Sequence, residues 1–154
     1  MSELAIPIID AFSGEYRFLS NFADAPTPHR GRLFPTSDHA YVAAKTDDPV
    51  AQQVILSTRT PAEAKRIGQS VPLTENWEAK KYAVMEEIVL AKFRHNADLA
   101  EKLVATSGAV LVEGNTWHDQ TWGSCSCDGH RDTPGANALG VILMWVRMRL
   151  GAVG

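Results

Sequence analysis

The residue types that carry chemistry crowd into two stretches of this chain. Between Glu113 and Ala138 stand Trp117, His118, Asp119, Trp122, Cys125, Cys127, Asp128, His130 and Asp132, with no helical or strand periodicity among them. A long aperiodic segment in a compact chain is usually functional or disordered, and two tryptophans argue against disorder. The segment therefore reads as a binding or catalytic loop, against the alternative that Trp117 and Trp122 only pin it to the core. The second stretch joins Arg17-Phe18-Leu19-Ser20-Asn21-Phe22 to Pro35-Thr36-Ser37-Asp38-His39-Ala40-Tyr41. An aromatic ring beside an amide, then a carboxylate and an imidazole in the first turn of a helix, suits a ligand site. The helix N-terminus there favours an anionic group such as phosphate. The bland alternative is that Asp38 complements the helix dipole and His39 is an ordinary surface residue.

These residues need elements to hold them. Thr36 or Ser37 is a plausible N-cap for a helix through Asp38, His39, Tyr41 and Lys45. Asp48-Pro49 opens a helix over Val50–Leu56, and Thr60-Pro61-Ala62-Glu63 combines a capping box with proline at the first helical position before Gly68. Thr74 is expected to cap a long helix over Trp77–Phe93, and Asn96 a shorter one ending near Ala105. Leu139, Ile142, Leu143, Val146 and Leu150 share one face of a final helix. Strands are fewer: Leu4–Ile9, Arg32–Phe34 and Ala109–Glu113, with a hairpin or bend over Phe12–Ser20 and a proline-rich loop over Ala25–Gly31. Strands and helices do not alternate, so the expected fold class is α+β, one helix-rich domain over residues 1–154 with a small sheet.

Composition narrows the function. The 154 residues hold 15 Lys and Arg against 18 Asp and Glu, a net charge of −3, which excludes a nucleic-acid binder held by bulk positive charge. The longest apolar run, Ala138 to Val146, is too short to span a bilayer, and the start has no basic stretch leading an apolar one. Two cysteines one residue apart cannot staple distant segments, so a reducing, cytoplasmic setting fits best. No internal repeat or low-complexity tract interrupts the chain.

Taken in order, the segments resemble the YbiA-like proteins of the NADAR superfamily. The resemblance rests on Phe12–Phe22, on Phe34-Pro35-Thr36-Ser37-Asp38-His39-Ala40-Tyr41 through Lys45, and on Ala64-Lys65-Arg66-Ile67-Gly68. It continues with Trp77, Lys81 and Met85, Ala91-Lys92-Phe93 and Leu111-Val112-Glu113. It closes with Asp119-Gln120-Thr121-Trp122-Gly123, with Gly135-Ala136-Asn137-Ala138-Leu139-Gly140, and with Arg147. It implies hydrolysis of an N-glycosidic bond without metal or redox cofactor. In the YbiA-like branch the substrates are phosphoribosylated riboflavin-pathway intermediates, cleaved to base and ribose 5-phosphate. Other branches remove ADP-ribose from guanine in nucleic acid, an antitoxin-like activity. The partner implied is thus a small phosphoribosyl or ADP-ribosyl substrate, or ADP-ribosylated nucleic acid, with no membrane. A non-catalytic module binding ADP-ribose or NAD is the reading from a different class.

Breaking a C–N glycosidic bond builds positive charge on the ribose and negative charge on the departing base, so it calls for a carboxylate and a proton donor. At matching family positions stand Asp119, to stabilise the ribosyl cation and orient water, and Asp38, for water activation or proton transfer. Lys45 lies two helical turns beyond Asp38, on the same face, and could hold phosphate, donate to the base or attack the anomeric carbon. The family pattern usually has Glu where this chain has Asp38, a shorter side chain in a geometry sensitive to about 1 Å. Phe22 and Trp122 are candidates to stack on the base, Asn21 and Asn137 to bond its edge or the ribose, and Arg17 to take phosphate. His39 and Gly123 complete the binding set. Asn137 has the alternative of capping the last helix. Cys125, Cys127, His118 and His130 would make a chemically sound zinc set. The single residue between the cysteines lacks the usual gap, however, and the family implies no metal, so they are expected to be a mobile, solvent-exposed thiol pair.

Overall fold

The computed structural model describes residues 5–152, so Leu4, which opens the first expected strand, lies outside the described residues. The chain divides into two compact units, Asn21–Ala97 and Met1–Ser20 with Asp98–Gly154. Among the described residues the fold is helix-rich α+β, its strands forming three two-stranded pairs.

In the unit Asn21–Ala97, strands β2 (Thr27–His29) and β3 (Arg32–Phe34) form an antiparallel hairpin. The sequence predicts a loop over Ala25–Gly31; the structure extends a strand through Pro28 instead. The two-residue turn Arg30-Gly31 has positive φ at both positions, 49° and 83°, the twist that suits tight hairpins. Pairing His29 with Arg32 across that turn places Pro28, opposite Leu33, at a site where the ladder needs no N–H.

Helix α1 (Ser37–Ala44) is the centre of this unit, buried at all eight positions. Around it pack α2 (Pro49–Ser57), α3 (Pro61–Gly68), α4 (Trp77–His95) and the hairpin. The expected caps of three helices are in place: Thr36 accepts from the His39 N–H, Asp48 from the Val50 N–H and Thr60 from the Glu63 N–H. Thr74 does not cap α4. Its hydroxyl donates to Asp47 at 2.8 Å, and the residue before α4 is Asn76, left-handed at φ 59° with no side-chain cap. Along α4 the buried set Trp77, Val84, Met85, Ile88, Val89, Lys92 and Phe93 follows helical spacing and faces α1 and β2.

The other unit opens with β1 (Ile8–Ile9), parallel to β4 (Val110–Leu111). The bend expected over Phe12–Ser20 is a 3-10 helix, Gly14–Leu19, which buries Phe18 and Leu19. Helix α5 (Ala97–Ala105) buries Leu103, and α6 (Ala138–Ala152) buries Leu139, Ile142, Leu143 and Val146 and packs on β4, with Leu150 half-buried. Arg147 of α6 donates from Nη1 to the Thr106 carbonyl, the Thr106 hydroxyl and the Ala109 carbonyl at 2.9–3.1 Å, fixing the approach to β4. The aperiodic segment holds a parallel pair, β5 (Gly114–Asn115) with β6 (Ser124–Cys125). None of the described helices is long and apolar enough to cross a membrane.

Helix α3 packs closely on α1 at Gly68. A Cβ placed there would lie 2.4 Å from Cγ1 of Val42, itself buried and stiff at χ1. Gly68→Ala is therefore expected to destabilise the fold by about 1–3 kcal/mol, although alanine is the better helix former. Urea unfolding checks this, and an unchanged or higher midpoint would show that α1 and α3 can yield.

Candidate functional site

The first turn of α1 hides four polar residues in succession, and their hydrogen bonds show which are available. Thr36 Oγ1 accepts the His39 N–H at 3.1 Å and lies 2.7 Å from His39 Nδ1. His39 Nε2 lies 3.2 Å from the Thr58 carbonyl, which only accepts, so the proton sits on Nε2 and the threonine hydroxyl donates to Nδ1. Burial pushes the imidazole pKa below its ordinary value. His39 is wholly buried with both ring nitrogens engaged, so it is neither a surface residue nor open to a ligand. Within the fold it joins the cap of α1 to the Thr58 carbonyl.

Asn21 is tied to the same turn. Its carbonyl accepts the Asp38 N–H at 3.0 Å, its Oδ1 lies 2.9 Å from the Ser37 hydroxyl, and its Nδ2 faces the Met85 sulfur at 3.5 Å. Phe22, half-buried, follows directly.

Asp38 differs from its neighbours. It is 9% exposed, and its Oδ2 is buried with no hydrogen-bond partner among the described residues. Burial drives its pKa up to about 7, while the charges of Lys65 and Lys45 pull the other way. Lys45, half-buried at the C-cap of α1 with its ammonium 5.4 Å from the centroid of the Tyr41 ring, is lowered by burial and raised by Asp38. Lys65 and Lys81 push Lys45 further down, and Glu78 opposes them. Lys81 is largely buried and bonds Glu78 at 2.6 Å. A buried carboxyl with one unpartnered oxygen thus lies in the field of Lys45 and Lys65, and Lys45 in that of Lys65 and Lys81. Sequence reasoning placed Asp38 and Lys45 here but gave no role to Lys65 or Lys81. Both lie in segments noted for other reasons, and only packing brings them to α1. An open depression of about 440 Å³ lined by Arg32, Pro49, Val50, Gln53, Val54 and Ser57 contains none of the candidates.

The other predicted residues belong to the second unit. Asp119 Oδ1 accepts the N–H groups of Thr121 and Trp122 at 3.1 and 2.9 Å, bonds in which its second oxygen takes no part. Asn115 braces Asp119 from both sides, accepting its N–H at 3.1 Å and donating to its carbonyl at 2.9 Å. The carbonyls of Thr121 and Trp122 accept from Ala138 and Leu139, the first N–H groups of α6, so loop and helix start fix each other. Trp122 is half-buried, but Trp117 is 61% exposed and pins nothing to a core.

Asn137 and Gly123 answer to packing. Both ends of the Asn137 amide are taken, Oδ1 by the Glu113 N–H and Nδ2 by the Leu111 carbonyl, each at 2.9 Å. It therefore ties the start of α6 to β4 rather than capping the helix with its side chain. A Cβ at Gly123 would lie 2.1 Å from the Glu113 carbonyl, which alone requires glycine. Arg17 is exposed on the 3-10 helix. The thiols are not a uniformly exposed pair: Cys125 is 3% exposed, and Cys127 is partly covered.

Burial of Asp38 carries a linkage. The unfolded carboxyl ionises near 3.8 and the folded one near 7. Stability therefore falls as pH rises from about 4 and levels off above about 7, by at most about 4 kcal/mol. Asp38→Asn removes this loss, so its melting temperature relative to wild type should rise between pH 4 and pH 8. A pH-independent difference in thermal unfolding would contradict the assignment.

In sequence and fold the chain is similar to known proteins. The NADAR domain model matches residues 10–151. N-glycosidase YbiA of Escherichia coli (strain K12) is 39% identical over 140 residues, covering 90% of this chain and 84% of that one. A riboflavin biosynthesis protein of Vibrio vulnificus (strain YJ016) is 36% identical over 135 residues, 86% of this chain but 35% of that longer one. The NMR structure of the E. coli protein YbiA superposes with a TM-score of 0.82 at 35% identity, over 97% of this chain and 88% of that one.

Proposed function

The chain belongs to the NADAR family, and on that premise we propose that it cleaves the C–N glycosidic bond of a phosphoribosylated heterocycle, a riboflavin-pathway intermediate, releasing base and ribose 5-phosphate. It is a hydrolase of N-glycosyl compounds, as its similarity to N-glycosidase YbiA along most of both chains indicates. The finer reading draws on the name of the Vibrio relative and on the chemistry around α1. Because the family model spans both compact units, we treat the chain as one functional domain, acting in the cytoplasm.

One observation carries the mechanism: a buried carboxyl with an unpartnered oxygen, half protonated near neutral pH, set among lysines. In this reading Asp38 holds the proton that the departing nitrogen needs. Lys45 and Lys65 supply positive charge to the ribose phosphate, which a bare carboxylate at that place would repel. Asp119 contributes the negative charge that the oxocarbenium-like transition state calls for, and Trp122 and Phe22 offer ring faces to the base. His39 takes no direct part in this scheme, since both of its ring nitrogens are already engaged.

The test is release of free base and ribose phosphate, followed by chromatography and mass spectrometry. A phosphoribosylaminopyrimidine and guanine-ADP-ribosylated DNA are offered in parallel. Turnover of the first is expected, with a kcat/KM that falls as pH rises through about 7, because the acid of the free enzyme loses its proton there. Turnover of the DNA alone would move the chain to the ADP-ribosyl branch, and binding without turnover of either would leave a binding module.

Asp119→Asn separates charge from architecture. The amide oxygen of asparagine still accepts from Thr121 and Trp122, so the loop keeps its brace while the charge is gone. The expected result is a loss of kcat of about 100-fold or more with substrate affinity nearly unchanged. Equal losses in kcat and affinity would deny Asp119 a transition-state role.

A further inference from the structure

Four side chains outside the chemistry above converge at one point: His118, Cys125, Cys127 and His130. Their ligand-type atoms all lie within 4.8 Å of one another. We propose that this cluster is a closed, tetrahedral zinc site built from two thiolates and two imidazoles, holding the segment 118–130 in place. The proposal does not depend on the glycosidase reading.

The distances fit the metal. Zinc with Zn–S near 2.3 Å and Zn–N near 2.0–2.1 Å in tetrahedral array separates sulfur from nitrogen by about 3.6 Å. Here Cys127 Sγ lies 3.3 Å from His118 Nδ1 and 3.2 Å from His130 Nδ1, and Cys125 Sγ lies 3.9 Å from His118 Nδ1. Both imidazoles present Nδ1 inward, their rings meeting edge to face with centroids 5.4 Å apart. Two thiolates offset the charge of one divalent cation, and sulfur with nitrogen in a four-ligand site selects zinc over the oxygen-seeking metals.

Ordinary hydrogen bonding explains the cluster less well. Nδ1 of His118 faces both sulfurs at once, and a ring nitrogen has either one proton or one lone pair to share between them. A cation satisfies both contacts together. The surroundings suit thiolates too, since the Cys127 N–H lies 3.4 Å from the Cys125 sulfur and points to it.

The gap that spacing seemed to lack is closed by the fold. Pairing of β5 with β6 fixes Cys125 beside Asn115, and His118 follows three residues after Asn115 with a left-handed backbone at φ 71°. The turn after Cys127, in which the His130 N–H bonds the Cys127 carbonyl at 3.0 Å, returns His130 from the other side. All four ligands come from protein and none is left to solvent chemistry, the pattern of a structural site.

The experiment uses the whole chain, purified without chelator and with reducing agent. Elemental analysis is expected to find about one zinc per chain. The metal-stripped, reduced protein should take up one equivalent of cobalt(II), giving the intense visible bands of tetrahedral thiolate coordination. Cys127→Ser and His130→Gln should each abolish the stoichiometric uptake, and stripping should lower the melting temperature of the wild type. His130 is partly exposed, so its variant tests the site even if Cys127→Ser fails to fold. Absence of a cobalt–thiolate band while thiol titration counts two free cysteines would overturn the proposal. So would a band that survives unchanged in His130→Gln.

Discussion

Burial of α1 on every side is the constraint on which the unit Asn21–Ala97 depends. A short helix surrounded by three others and a hairpin has no solvent to satisfy the donors of its first turn, yet that turn reads Thr36-Ser37-Asp38-His39. The fold supplies a partner for nearly every polar atom there: the Thr36 cap, the Asn21 carbonyl and amide, and the Thr58 carbonyl. What it leaves over is one carboxyl oxygen of Asp38. A group kept buried and unpaired costs stability, and such groups concentrate where chemistry needs them. The near-complete satisfaction of its neighbours makes that one vacancy informative.

The other unit solves a similar problem with backbone. Loop carbonyls of Thr121 and Trp122 take the first N–H groups of α6, Asp119 takes two N–H groups of its own turn, and Asn115 holds Asp119 by both backbone groups. Asn137 then ties the same helix start to β4. A segment with no periodicity is thereby held as firmly as a strand. Side chains such as Asp119 and Trp122 can be presented from it with little conformational freedom left to lose.

Local signals were legible in the sequence where local chemistry decides. Thr36, Asp48-Pro49 and Thr60-Pro61 cap their helices as residue types foretell, and the stripe of α6 lies in the core from Leu139 to Val146. The signals failed where a partner far along the chain wins. Thr74 prefers Asp47 to the start of α4, and Pro28 joins a strand because the turn at Arg30-Gly31 sets a register that spares its nitrogen. The candidate site divides the same way. Asp38 and Lys45 are two turns apart on one helix and could be paired from spacing, whereas Lys65 and Lys81 reach them from other helices. His39 carries the same residue type whether it binds a ligand or Thr58, and only its burial distinguishes the two.

The lysines give Asp38 a property that its burial alone would not. Lys65 and Lys45 pull its pKa down against desolvation, the larger effect, and the result lies near 7. A phosphate seated on those ammonium groups would cancel part of their field, and desolvation of Asp38 would then act with less opposition. Its pKa would rise and the carboxyl would gain its proton as the substrate arrived. By linkage, protonation would in turn favour the phosphate, since a neutral carboxyl does not repel it. Binding and proton loading would thus be one equilibrium, with the acid charged when a substrate is present to use it.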